Sequence, residues 1–270
     1  MERDLDDRRG VLRTPPAGTG SLDRRAPAPV LVPYVAWYWS VRWDLRGRPA
    51  HRQVTLPHAS SHLIVEDGAA WLHGPPHRRF ERVLAGEGRV VGVRFTAGGL
   101  AAVLGRPLVG GPVPASTLAG LDGDELAAAI TGSVDVDDAA KILDRTLTAV
   151  MPKDVDPAVE TVENAVRIVE QDRSVLRVTD LADRLGLATR TLQRFFAAYV
   201  GVSPGWVIRR CRLQEVALRA TEGRHVDWVR LAADLGYYDQ AHLVRDFTTA
   251  IGVPPARYAG TRPDNDSTVT

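Results

Sequence analysis

One short stretch of the chain, residues 181–196, carries side chains that can bond the edges of DNA bases. Its sequence, LADRLGLATRTLQRFF, has a glycine at position 186 with a helical pattern on either side. In the second helix Arg190, Gln193 and Arg194 stand at i, i+3 and i+4, so they share one face. Arginine can bond guanine through two hydrogen bonds, and glutamine can bond adenine in the same way. The spacing therefore predicts contact with base pairs in a major groove.

The opposite side of the same helix is apolar at helical intervals, which is typical of a buried face. This stripe consists of Leu192, Phe195, Phe196 and Tyr199. The preceding helix has a stripe of its own, formed by Val178, Leu181, Ala182 and Leu185. We expect the two stripes to pack on each other across the corner at Gly186, because this leaves the arginines and the glutamine in solvent.

The two-helix pattern occurs twice in the chain. LADRLG recurs as LAADLG at an offset of 50, and LQRFF is matched by LVRDF at an offset of 51. GVSP and GVPP then follow at corresponding positions. A helix, a glycine turn and a second helix form the helix-turn-helix pattern, whose second helix can enter a major groove. The segments of the first unit lie at 181–186, 192–196 and 201–204, and those of the second at 231–236, 243–247 and 252–255.

The second unit presents a less polar outward face. Helical spacing points Leu243, Phe247 and Ile251 inward. The outward face is then formed by Gln240, Ala241, Val244 and Arg245, with His242 at its margin. Alanine and valine can contact a thymine methyl group, whereas arginine can bond guanine or a phosphate. We expect this helix to discriminate between sequences less strongly than the first.

The segment from about Val178 to Tyr258 resembles the C-terminal part of the AraC/XylS family of bacterial transcription regulators. The family signature appears here as LAADLGYYDQAHLVRDFTTAIGVPPARY. The resemblance implies two helix-turn-helix units on successive major-groove segments of one DNA site, joined by a linker helix at 206–221. Ala188 stands where the family usually has a capping serine, so we expect Thr189 to cap the helix instead. Our candidate DNA contacts are Thr189, Arg190, Gln193, Arg194, Arg209, Arg210, Gln240, Ala241, His242 and Arg245.

Length and charge agree with this hypothesis. A chain of 270 residues with 44% hydrophobic residues suits two globular domains. The net charge of +1 hides a division: residues 174–260 hold 12 arginines against 8 acidic residues, whereas residues 1–173 have a balance of −2. A basic C-terminal part favours a phosphate-bearing or acidic partner. A general preference of the chain for arginine would explain the same count.

The order of elements predicts an α+β protein. Short β-branched or aromatic runs, bounded by glycine and proline, lie at 35–43, 60–68, 69–74 and 88–95. Helical patterns follow at 122–132, 137–151 and 157–171. The predicted plan is a flexible arm (1–29), a β-rich domain (30–110) that is a cupin-like barrel or a sandwich, a helical connector (111–172), the DNA-binding domain (173–260) and a disordered tail (261–270).

The β-rich half resembles, more loosely, a domain of unknown function found ahead of AraC-type modules. The likeness lies in GVRFTAGGLAAVLG, WYWSVRW and LPHASSHLIVEDG. In the wider family such regions sense a small molecule or form a dimer. On a helix, the spacing of His58, His62 and Glu66 would suit a metal ion, but the local sequence predicts a strand. We therefore predict no metal and no other cofactor, and our candidate ligand contacts are Trp37, Trp39, His58 and His62.

These observations predict a sequence-specific transcription regulator, not an enzyme, that binds double-stranded DNA. A small-molecule effector, contact with RNA polymerase and a homodimer stay open as further partners. No apolar run is long enough for a membrane span and no secretion signal is found, so a cytoplasmic protein is expected. The single cysteine, Cys211, excludes an intramolecular disulfide and is expected in the core. The alternatives are a cupin-type metal-dependent enzyme with a helical assembly tail, a ligand-binding adaptor with a degenerate helix-turn-helix, and a methyl acceptor at Cys211.

Overall fold

The computed structural model of the chain describes residues 11–13, 18–55, 58–75, 80–221 and 226–259. Within these ranges, strands occupy the first part of the chain and form two antiparallel sheets. One sheet has the order β2-β3-β8-β5-β6-β9 and the other the order β1-β4-β7. The strands are β1 (Val11–Arg13), β2 (Gly20–Arg25), β3 (Val35–Asp44), β4 (His51–Thr55), β5 (His62–Glu66), β6 (Ala69–His73), β7 (Phe80–Leu84), β8 (Glu87–Phe95) and β9 (Val113–Pro114).

Helices occupy most of the chain after β8. The helices are α1 (Gly99–Leu104), α2 (Gly123–Gly132), α3 (Val136–Val150), α4 (Pro157–Gln171), α5 (Val178–Arg184), α6 (Thr189–Phe195), α7 (Pro204–Thr221), α8 (Trp228–Asp234), α9 (Gln240–Ile251) and α10 (Pro255–Ala259). Short 3-10 turns lie at Pro29–Leu31 and Ala115–Thr117. One π-helical turn, Phe196–Val200, continues α6. Among the described residues, no helix combines the length and the apolarity that a membrane crossing requires.

One face of the six-stranded sheet packs against helices. Alternate residues of its strands, such as Leu63, Leu72 and Val93, are fully buried there. They share a core with residues from α1, α2 and α3. The Tyr38 hydroxyl of β3 donates a hydrogen bond of 2.7 Å to the Asp144 carboxylate of α3. Helices α2 and α3 thus share one core with the sheet.

The other face of this sheet is partly covered by the three-stranded sheet. A small apolar cluster formed by Trp43, Leu45, Leu84 and Val90 lies where the two sheets meet. Arg82 of β7 forms an ion pair with Glu66 of β5 and stacks on the Trp43 ring. Trp39 packs against this cluster and Trp37, two residues earlier on β3, does not belong to it; both indoles are half-buried.

Two further cores hold the C-terminal helices. The first combines α4, α5, α6 and the beginning of α7 with Ala59 and Ala97 from the β-rich half. The second combines the end of α7 with α8, α9 and α10. Helix α7 contributes to both cores, so the two helical pairs are held by one continuous helix.

The fold class predicted from the sequence is confirmed, because a β-rich first part is followed by helices. The predicted flexible arm, however, is wrong for residues 20–25, which form strand β2 beside β3. This polar strand is held by backbone hydrogen bonds and by an ion pair between Arg25 and Asp137 of α3. Residues 11–13 likewise pair with β4. Residues 1–10 and 14–17 of the arm, and the predicted tail at 261–270, lie outside the described residues.

Candidate nucleic-acid interface

The first helical pair forms around the corner at Gly186. This residue has φ of 64°, a left-handed conformation that glycine adopts without steric cost. The corner is closed by a hydrogen bond of 2.9 Å from the Leu187 amide to the Ala182 carbonyl. Leu181 of α5 and Leu192 of α6 are fully buried and share one core. The predicted packing of the two apolar stripes is therefore present in the structure.

The polar side of α6 is exposed. Arg190, Gln193 and Arg194 all lie in solvent, on the side opposite Leu192 and Phe196. Thr189, at the beginning of the helix, is half-buried. The Arg194 guanidinium lies over the Phe195 ring at 5.9 Å from its centroid, so it covers part of an otherwise exposed aromatic edge. The outward orientation predicted for these side chains is observed, and their contact with DNA stays a prediction.

The cap of α6 differs from our expectation. The helix begins at Thr189 and its N-cap is Ala188, which offers no side-chain hydrogen bond. Our prediction that Thr189 caps the helix is wrong, since this residue already has the helical position that follows the cap. Arg190 is therefore the second residue of the helix.

An Ala188→Ser variant is expected to stabilise the protein by about 1 kcal/mol, because a serine hydroxyl at an N-cap can accept a free amide of the first turn. For domains of 150–250 residues this corresponds to a rise in Tm of about 2–4 °C. Thermal unfolding followed by circular dichroism measures the change. Thr189→Ser is the matched control and should leave the Tm near that of the wild type. A larger effect at position 189 than at 188 would contradict this assignment of the cap.

The second helical pair repeats this geometry and has better caps. Gly236 has φ of 67° at the corner. The Tyr237 amide donates a hydrogen bond of 2.9 Å to the Ala232 carbonyl. The Asp227 carboxylate accepts hydrogen bonds from two amides of α8. The Asp239 carboxylate accepts one of 2.6 Å from the His242 amide of α9. Both aspartates thus cap the helices of the second unit.

The outward face of α9 has the predicted composition. Gln240, Ala241, His242 and Arg245 are exposed and Val244 is half-buried. Leu243, Phe247 and Ile251 are buried on the opposite side. The His242 ring makes an edge contact with the Tyr237 ring at 5.2 Å between centroids. This contact orients the imidazole beside the first turn of the helix.

The two linker arginines have different environments. Arg209 of α7 binds the Asp246 carboxylate of α9, with 2.7 Å between Nε and Oδ1. This carboxylate side chain is 5% exposed, against 57% for that of Arg209. Its negative charge holds the pKa of the Arg209 guanidinium above the ordinary value. The Tyr237 hydroxyl donates a further 2.9 Å hydrogen bond to Asp246. Arg209 is therefore engaged with Asp246 in the protein, and its contact with DNA stays a prediction.

Arg210 is only 9% exposed, which corrects its predicted contact with DNA. Its guanidinium lies over the Trp206 ring at 5.1 Å from the centroid. Burial lowers the pKa of this group from its ordinary value. The helical period explains the error: neighbouring residues on a helix differ by 100° in direction, so Arg209 and Arg210 could not both share the outward face.

Two features of the second unit were missed in the sequence analysis. Tyr238 is 93% exposed at the corner before α9. The sequence does indicate this residue: the repeat offset changes from 50 to 51 between the two helices, so the second unit has one extra residue at its corner. The buried group around Asp246 was also missed. Its signal is a carboxylate between Leu243 and Phe247 on the apolar side of the helix.

Helix α7 holds the two units at a fixed separation. Val207 and Ile208 belong to the core of the first unit, whereas Val216 and Ala220 belong to that of the second. Eighteen residues of α-helix span about 27 Å. Cys211 is buried on this helix, as the sequence predicts. The Glu215 carboxylate binds Arg173, at 2.9 Å, and Arg219, at 2.8 Å, and so ties the linker to the segment after α4.

The candidate ligand residues of the β-rich half lie close to one another. The Trp39 and His62 rings meet edge to face, with 6.2 Å between centroids. Burial, and then the charges of Arg94 and His73, lower the pKa of His62 to about 3, so its ring is neutral. His58 lies 4.0 Å from the Glu170 carboxylate of α4. Within the described part of the chain, no group of three histidine, cysteine or acidic side chains is arranged to hold a metal ion.

Two family models match the chain, one in each half. Residues 181–261 match a helix-turn-helix domain. Residues 23–109 match a domain of unknown function (DUF6597). Both resemblances stated from the sequence are confirmed: the C-terminal part is an AraC-type helix-turn-helix domain, preceded by a domain of unknown function. These matches do not favour the alternative of a metal-dependent enzyme.

Individual proteins that are similar to part of the chain include an uncharacterized HTH-type transcriptional regulator from Haemophilus influenzae. It is 24% identical over 93 residues, which are 34% of this chain and 31% of that protein. The chain thus spans about a third of the length of this curated relative. Among solved structures, the C-terminal domain of AraT, a response regulator from Geobacillus stearothermophilus, has 22% identity and a TM-score of 0.35 over 40% of this chain and 91% of its own. ToxT from Vibrio cholerae has 10% identity and a TM-score of 0.41 over 90% of this chain and 98% of its own.

Proposed function

We propose that this chain is a sequence-specific DNA-binding transcription regulator whose helix-turn-helix domain contacts two successive major-groove segments of one site. The observation that supports this most is the duplicated helical pair. In each unit the second helix exposes arginine and glutamine and buries its aromatic side. A single helix, α7, then holds the two units together. Major-groove segments on one face of DNA repeat every ~34 Å, a distance that two units on one linker helix can span.

The chemistry of the two faces differs in the proposed complex. Arg190 and Arg194 can each bond guanine, and Gln193 can bond adenine. In the second unit Gln240 can bond adenine, Ala241 can contact a thymine methyl group, and Arg245 can bond guanine or a phosphate. Thr189 and His242 lie at the N-terminal ends of the two helices, where a polar side chain can contact phosphates or flanking bases. The first unit therefore supplies most of the sequence discrimination.

The role of the β-rich half is part of the proposal. A small-molecule effector bound there adjusts DNA affinity, and the regulator acts in the cytoplasm, where the bacterial chromosome lies. The proposed function needs no catalytic step. One chain already carries both DNA-contacting helices, so binding requires no second copy, although a homodimer or a contact with RNA polymerase is compatible with the exposed surfaces.

The test is selection of bound sites from a random DNA pool, followed by affinity measurements with Arg194→Ala. This variant is expected to lose about 1–3 kcal/mol of binding to the preferred site and to lose its preference at one base pair. Fluorescence anisotropy against the selected site and its single-base variants measures both effects. Arg145→Ala, at an exposed position of α3, removes an equal charge and should bind as the wild type does. Equal binding of Arg194→Ala to all the DNAs, at wild-type strength, would show that another face contacts the bases.

A further inference from the structure

The open end of the six-stranded sheet carries an aromatic and basic surface on the side away from its helical core. Strand register places Trp37, Arg94, His62 and His73 side by side across β3, β8, β5 and β6. The next row across the same strands consists of Trp39, Gly92, Ile64 and Trp71. We call these eight residues the sheet platform. Trp71 is 40% exposed at its edge, so the platform is reached from solvent on that side.

A glycine in β8 gives the platform a flat centre. A Cβ atom at Gly92 would lie 2.3 Å from atoms of the Trp39 ring, which no side chain can tolerate. The indole therefore lies against the backbone of β8 and covers it. Buried beside one another, Trp39 Nε1 and His62 Nδ1 have no hydrogen-bond partner among the described residues. Leaving a buried polar atom unpaired is costly, so two on neighbouring rings point to a polar group that completes them.

The charge of the platform is positive. The guanidinium groups of Arg24 and Arg94 lie 4.8 and 4.3 Å from the centroid of the same Trp37 ring. Arg94 also donates a 3.1 Å hydrogen bond to the Ser60 hydroxyl. Its ion-pair partner, the Glu170 carboxylate, is at 3.5 Å, which is long for a charge-assisted hydrogen bond. Because β3 lies between β2 and β8, Arg24 and Arg94 reach this indole from the strands on its two sides. The Arg94 guanidinium, with a neutral His62 beside it, suits an anionic group that lies against a flat ring.

Glu170 connects the platform to the first helix-turn-helix unit. It lies near the end of α4, whose Val166 and Val169 share a buried core with Leu192 and Phe196 of the first unit. The same helix is held to the end of the sheet by Glu163, whose carboxylate accepts a hydrogen bond of 2.7 Å from the Ala97 amide. A change in the partner of Arg94 therefore acts on a helix that contacts the DNA-binding domain directly.

We infer that the sheet platform binds a flat organic anion, and that the anionic group competes with Glu170 for Arg94. The ring of the ligand stacks near Trp39, its anionic oxygens accept from Arg94 and Trp39 Nε1, and Glu170 is released. This inference rests on the proposed function only for its regulatory consequence. Binding of the anion can be measured without DNA, and DNA binding without the anion, so failure of one is distinct from failure of the other.

The probes are benzoate and naphthoate, each compared with its own primary amide on the full-length chain. The amide has the same ring and nearly the same shape but no charge. At probe concentrations several times the dissociation constant, the carboxylates should raise the Tm by about 2–4 °C, and the amides should not. Arg94→Gln should abolish the rise, whereas Arg48→Gln, in the exposed turn after β3, should keep it. Absence of a rise with both carboxylates, an equal rise with the amides, or a rise that survives Arg94→Gln would overturn the inference.

A second variant tests the competition itself. Glu170→Gln removes the rival carboxylate but keeps the side-chain shape, so isothermal titration should show carboxylate binding about two- to fivefold tighter than in the wild type. Without a ligand, its affinity for the selected DNA should shift in the same direction as that of the wild type saturated with carboxylate. Unchanged or weaker carboxylate binding would mean that Glu170 does not compete. An unchanged DNA affinity would mean that Arg94 and Glu170 do not couple the platform to the first unit.

Discussion

Arg209→Met is expected to destabilise the second helical unit by about 2–3 kcal/mol, near the lower end for a broken buried ion pair. The Asp246 carboxylate would stay buried without its hydrogen-bonded cation, keeping the hydrogen bond from the Tyr237 hydroxyl and the weaker attraction of Arg210 and Arg212. Burying a charge that has lost its direct partner is costly. The value is at the lower end because the Arg209 side chain is itself more than half exposed, so its own release to solvent costs little. Urea unfolding followed by circular dichroism measures the loss.

The double variant Arg209→Met/Asp246→Asn is the control for this result. An asparagine can still accept the hydrogen bond from the Tyr237 hydroxyl and carries no charge, so much of the lost stability should return. The outcome also decides between two roles for Arg209. If Arg209→Met left stability unchanged and reduced the salt dependence of DNA binding by about one phosphate contact, Arg209 would contact DNA as the sequence first suggested.

Phe196→Ala is expected to cost about 3–5 kcal/mol, the usual range for removing a fully buried aromatic side chain. Phe196 is completely buried at the point where α6 passes into its π turn, and it shares a core with α4, α5 and the beginning of α7. The Gly201 amide donates a 2.9 Å hydrogen bond to the Phe196 carbonyl, which closes that turn. Thermal and urea unfolding of the full chain should therefore both shift strongly.

The neighbouring Phe195→Ala is the matched control, since it removes the same ring one position earlier. Phe195 is only half-buried, and its loss should cost about 1 kcal/mol, in proportion to the smaller apolar area it covers. An equal loss at the two positions would mean that the ring at 196 has no special place in the core of the first unit.

The sequence was most informative where a pattern was repeated. Two apolar stripes with the same corner glycine place Leu192 and Phe247 inside, and helical geometry then leaves Arg194 and Arg245 outside, as observed. The strands at 35–43 and 88–95 were equally clear, because apolar and aromatic residues cluster in them. Their bounds differ by one residue at an end from β3 and β8.

The sequence was least informative where distant groups satisfy one another. Strand β2, GSLDRR, is polar, and only its pairing with β3 and the contact of Arg25 with Asp137 make it a strand. Arg209 likewise has an exposed position on α7, and nothing near it in the chain shows that Asp246 lies within reach. The sheet platform follows from strand register, which a single sequence does not specify.

Helix α7 has a consequence for the shape of the DNA target. Because both ends of this helix are embedded in cores, the two units cannot rotate independently about the duplex. Half-sites in phase, on the same side of the double helix, suit this rigid frame. Adding about five base pairs between them turns one half-site to the far side of the duplex, since B-DNA completes a turn in roughly 10.5 base pairs. We therefore expect the affinity for a promoter to depend on the helical phase of its two half-sites as well as on their base sequence.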